Sequence, residues 1–162
     1  MQNAGIVASW KRRWPQQVSV SSFTALSGAA MTSNTFESLF TRDTLRHLFP
    51  KERADDFFDA LFGDAGEGAY DIELAYRGTK GDQLVMELLL HERPGRCLAC
   101  NLTQGLPQVF SRHPIINING LVKEIEQLLG AGTTCKDWSL GYTEQKSRSL
   151  HCIPLKITLG KD

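Results

Sequence analysis

The sequence predicts an α+β domain: a two-layer sandwich of about five antiparallel strands covered on one face by helices, in the order α-α-β-β-β-α-β-β. Three observations carry that expectation. Apolar residues recur at helical spacing before residue 63 and again over residues 118–129. Elsewhere they alternate with polar residues at a period of two. Short turns separate the alternating runs, and such turns join antiparallel neighbours.

The elements follow in order. Asn34 and Glu37 are spaced as a capping box, with Asn in place of Ser or Thr. Phe36, Leu39, Phe40, Leu45 and Leu48 then mark a first helix over 35–48. Pro50 stops it and opens a second helix over 51–62, whose apolar face is Ala54, Phe57, Phe58, Leu61 and Phe62. Gly63 is its C-terminal stop. A strand follows in which Tyr70, Ile72, Leu74 and Tyr76 share one face, and Gly78–Gly81 turns the chain. The next strand aligns Leu84, Met86, Leu88 and Leu90. After Arg93-Pro94-Gly95, a third strand is expected with Leu98, Cys100 and Leu102 inward and Cys97, Ala99 and Asn101 outward. A two-residue turn there would mismatch the faces, so a longer loop or bulge is required. Residues 103–116 read as a long irregular loop. Asn117 caps a helix with Ile118, Leu121, Val122, Ile125, Leu128 and Leu129 on one face, ended by Gly130. Trp138, Leu140 and Tyr142 mark a fourth strand, Glu144–Ser147 a polar turn, and Ile153, Leu155, Ile157 and Leu159 a fifth. Pro154 assigns that last strand to an edge or a bulge. The order broadly resembles that of small secretion chaperones and of several other α+β modules, a likeness of topology that carries no function.

The 162 residues suit one domain, with 18 basic and 18 acidic side chains. The balance is uneven along the chain. Residues 1–36 hold no acidic residue and three basic ones, Lys11, Arg12 and Arg13. Residues 1–33 are therefore read as a disordered leader or an extension preceding a start at Met31, with residues 34–162 as the single domain. Two other readings of that segment stand beside it: an organelle-targeting peptide, or a short strand over Val18–Ala25 joining the sheet. The domain itself is mildly acidic, so no nucleic-acid partner is expected. No apolar run approaches the roughly 18–20 residues that span a bilayer, so no membrane span is expected either. The expected compartment is the cytoplasm.

Candidate chemistry is sparse. Cys97-Leu98-Ala99-Cys100 has the spacing of half a zinc site or of a redox pair, with His113 the next ligand in the chain. On a strand, however, positions i and i+3 face opposite ways, which favours ordinary half-buried thiols. Cys97 and Cys152 share outward parity and would approach if their strands were neighbours. Arg112 and His113 lie in the 103–116 loop among apolar residues. Arg112 suits a carboxylate or phosphate, and His113 suits proton transfer or metal. There is no Gly-rich phosphate loop, nucleophile elbow or His-Glu-x-x-His.

Three functions follow as expectations. The leading one is a non-enzymatic binding or adaptor module without a cofactor, joining a protein partner through its open sheet face or the long loop, or a second copy in a homodimer through sheet faces or edges. The second is a metal- or small-ligand-binding domain, with zinc held by Cys97, Cys100 and His113. The third is a small enzyme using Arg112 and His113 in a pocket under the loop.

Overall fold

A computed structural model describes residues 33–101 and 105–160. It shows an α+β molecule with an open antiparallel sheet. The strand at Val18–Ala25 and all of the 1–33 leader except Ser33, which opens the first helix, lie outside the described residues.

The first expected helix is two. Helix α1 spans Ser33–Leu39 and α2 spans Arg42–Leu48. Asn34 falls within α1, not at the position before it. Thr41 is extended, and its hydroxyl accepts the Thr44 N–H at 3.3 Å, so it ends one helix and caps the next. Helix α3, Glu52–Phe62, follows Pro50 and ends at Gly63, whose φ of 77° requires the left-handed region that glycine tolerates.

Strands β1 (Tyr70–Lys80) and β2 (Gln83–Glu92) form the expected hairpin. The third expected strand is not formed over the described residues 97–101. Residues Leu98–Asn101 instead form a helical turn, α4. Leu98 is buried as expected, but Cys100 is exposed. Four residues of alternation satisfy a helical turn as readily as a strand. The 103–116 stretch is likewise not all loop. Helix α5 covers Leu106–Arg112, with Pro107 in its first turn and Leu106 and Phe110 buried. Helix α6 (Ile118–Leu129) is capped by the Asn117 side chain as expected.

The remaining strands are β3 (Thr134–Leu140), β4 (Glu144–Ser147) and β5 (Leu150–Gly160). Strand β4 replaces the turn expected at those residues. The described sheet runs β1-β2-β5-β3, with β4 continuing the β3 side of β5. Pro154 therefore sits in an inner strand, not at an edge. Its carbonyl accepts the Gly141 N–H at 2.7 Å, where the neighbour passes from β3 to β4. A strand residue's N–H and C=O face the same side, so the donor that proline lacks falls at this interruption.

Register aligns the buried rows Ile72–Leu90–His151, Leu74–Leu88–Ile153 and Tyr76–Met86–Leu155. With Phe57, Phe110, Leu121 and Ile125 they form one core between sheet and helices. Each such side chain contributes about 1.5–3 kcal/mol on burial. The opposite face carries Asp71, Glu73, Glu87 and Lys156. Among the described residues, no helix is long and apolar enough to cross a membrane.

Candidate functional site

The phase of the β1–β2 ladder decides which backbone groups of β1 are used. Arg93 N–H donates to the Ala69 carbonyl at 3.0 Å, and Glu92 N–H turns the other way, to Ser149 at 2.9 Å. Alternation along the strand then turns Asp71, Glu73 and Ala75 toward β2. Tyr70, Ile72 and Leu74 present their N–H and C=O groups to the opposite side. No described strand lies beyond β1 on that side.

Helix α2 borders this edge. Between them lies a groove of about 650 Å³. Its helix wall carries Arg42, Leu45, Arg46 and Phe49, and its strand wall carries Ile72, Leu74 and Glu73. Phe49 is fixed from behind, because the Arg53 guanidinium lies 4.6 Å from its ring centre. Arg53 also donates to the Ile116 carbonyl at 3.4 Å, and burial pulls its pKa down against the attraction of Glu124. The two walls differ in charge. Arg42 and Arg46 are exposed on the helix. Glu73 on the strand stands 3.3 Å from His91 Nε2.

Asp71 is held at the mouth of the groove. Arg93 donates through Nε to Asp71 at 2.8 Å, through Nη1 to the Ala65 carbonyl at 2.8 Å, and through Nη2 to Asp55 on α3. Its guanidinium also lies 5.5 Å from the Phe58 ring centre. One half-buried fork thus joins the start of β1 to α3 and the turn after it. Gly68 admits this packing, since a Cβ there would stand 2.3 Å from a Phe58 ring carbon.

The residues singled out from the sequence lie elsewhere. Arg112 is exposed at the end of α5. His113 packs edge-on against Phe57, with ring centres 4.8 Å apart. Its Nδ1 accepts the Ile115 N–H at 3.3 Å, and burial lowers its pKa. Both line a shallow depression of about 350 Å³ with Gln108, Val109 and Pro114. An imidazole used this way is a structural acceptor, and the space beside it encloses little. Cys97 and Cys100 are joined as a disulfide, with Cα atoms 5.3 Å apart. The expected approach of Cys97 to Cys152 is therefore replaced, and Cys152 is buried as a free thiol. Among the described residues, no group of three or more His, Cys, Asp or Glu side chains is arranged to hold a metal.

No family model, no curated protein and no solved structure matches the chain.

The expected docking surface on the open sheet face is altered by these positions. Cys97, Ala99 and Asn101 are not on the sheet. Of the carboxylates there, Glu87 is paired with Arg77 at 2.7 Å and Lys146 at 3.7 Å. Sequence reasoning missed the groove. A sheet edge is among the expected surfaces, but which strand forms it depends on β5 pairing with β2, and no local pattern announces that.

Proposed function

We propose that this protein is a non-enzymatic binding module that takes an extended segment of a partner protein as an added strand beside β1. The observation that supports it most is the outward-turned backbone of Ile72 and Leu74 at the floor of the α2–β1 groove. Strand addition draws affinity from main-chain hydrogen bonds and specificity from pockets for alternate side chains. Here the alternate positions meet different chemistry. Side chains turned toward α2 meet Leu45, Phe49 and the two arginines, which suits apolar or acidic residues. Those turned the other way lie beside Glu73, which suits basic ones. A partner other than a second copy is favoured by charge. Antiparallel self-pairing centred on Glu73 sets like carboxylates opposite each other, which is unfavourable.

Panning a random peptide library on the full chain tests this. Enriched peptides should alternate basic with apolar or acidic residues. Arg42→Glu combined with Arg46→Glu should weaken them about tenfold, near 1.4 kcal/mol, without changing the thermal midpoint. The proposal fails if no peptide is enriched, or if binding survives both that double reversal and Glu73→Lys.

A further inference from the structure

The four cysteines fall into two unlike pairs. Cys152 is buried in β5 and Cys135 is half-buried in β3. Burial pushes the Cys135 thiol up to about 11, with Glu126 adding to it, and burial with Glu87 raises Cys152. Such thiols are poor nucleophiles near neutral pH. Cys97 and Cys100 are both exposed. The backbone that carries them is nevertheless fixed, because Leu98 between them is fully buried and its N–H donates to the Glu92 carboxylate at 2.9 Å. Both sulfurs thus sit on the outer side of an anchored turn.

This arrangement argues against a purely structural bridge. The stabilisation from a cross-link grows with the loop it closes, and a separation of three closes a minimal one. Leu98 and Glu92 already hold the turn. The two sulfurs also differ. Cys97 Sγ accepts the Cys100 N–H at 3.2 Å, whereas among the described residues no such donor reaches Cys100 Sγ. A hydrogen-bond donor of this kind stabilises the thiolate.

We propose that Cys97 and Cys100 form a thiol–disulfide exchange site, with Cys97 as attacking thiolate and Cys100 as resolving thiol, acting on accessible disulfides. In the reduced protein, Cys97 attacks one sulfur of a partner disulfide. A mixed disulfide forms on Cys97, and the partner's other sulfur leaves as a thiolate that takes up a proton. Cys100 then gives up its proton and attacks Cys97 Sγ. The Cys97–Cys100 bond forms and the second partner thiol is released. Two electrons pass from the cysteine pair to the partner disulfide, and excess small thiol reverses the sequence.

The test uses the full chain, reduced and desalted, with oxidised glutathione in one arm and insulin as a protein disulfide in the other. Alkylation followed by intact mass measurement reads the products. The wild type should oxidise at Cys97 and Cys100 while Cys135 and Cys152 stay reduced, and the arm that reacts faster identifies the source of the disulfide. Cys100→Ser should retain the adduct on Cys97, at least tenfold more than Cys97→Ser retains on Cys100. Circular dichroism should show both variants folded. Three results overturn the proposal. In one, the two serine variants trap adduct equally. In another, dithiothreitol reduces the bridge only after urea is added. In the third, the reduced pair binds one zinc and is thereby protected from alkylation.

Discussion

The two edges of the described sheet are guarded differently. On one side, β5 is bordered by two short strands, β3 and β4, with the interruption at Gly141–Thr143 between them. Each has a register shift, at Cys135/Asp137 and at Gln145/Ser147, and β4 is exposed throughout. Short, irregular and charged strands are poor templates for further pairing. On the other side, β1 pairs in unbroken register from Tyr70 to Tyr76. Its own register shift falls beyond that stretch, at Tyr76/Gly78, and α2 flanks the regular part with a groove between. One edge is a poor template for another strand, while the other is the edge at which strand addition is proposed.

Substitutions can break that contrast, beginning with the largest expected effect. Arg93→Ala removes the fork that ties Asp71 to α3 and the following turn, and leaves a half-buried carboxylate without its partner. It should cost about 2–3 kcal/mol in urea unfolding, less than a fully buried pair because the site is partly open. Arg93→Lys should recover little of this, since an ammonium cannot span three acceptors in a plane. The matching change on the guarded edge is Lys146→Ala, which breaks pairs with Glu144 and Glu87 around an exposed ammonium. Even with its contact to the Cys152 thiol lost as well, its unfolding midpoint should move far less than that of Arg93→Ala.

A smaller effect separates the groove from the α5 depression. The pKa of His113 is lowered by burial, so the unfolded chain takes up the proton first as pH falls. Its contribution to stability is present above the ordinary imidazole value of about 6.5 and is lost below it. Unfolding midpoints from pH 7.5 to 5 should decline less steeply in His113→Phe than in the wild type. Peptide binding at β1 should be unchanged by this substitution.

The fold class was legible because the inward rows of β1, β2 and β5 alternate without error, and because Gly63, Asn117 and Gly130 carry local chemistry that needs no tertiary context. The split at Thr41 was less visible, since Phe40 and Leu45 extend the apolar spacing across it. Cys97–Leu102 misled because Leu98 and Leu102 satisfy period two and a helical i, i+4 pair alike. Around α5, Gly105 before Leu106 and Pro107 in the first turn were helix-start signals. They were outweighed by the broken look of the stretch. The Cys97–Cys100 spacing is legible, but on a strand it turns the two side chains to opposite faces, and only the helical turn brings them together. The groove depends on strand order, a long-range property fixed by Leu88 meeting Ile153.

Amide hydrogen exchange, resolved by residue along β1 with and without a panned peptide, addresses the central claim most directly. The account predicts slow exchange at Asp71 and Glu73 throughout, with fast exchange at Ile72 and Leu74 that slows when peptide is added. Slow exchange at Ile72 and Leu74 in the peptide-free chain would contradict it, and so would a peptide that protects the β3–β4 side instead.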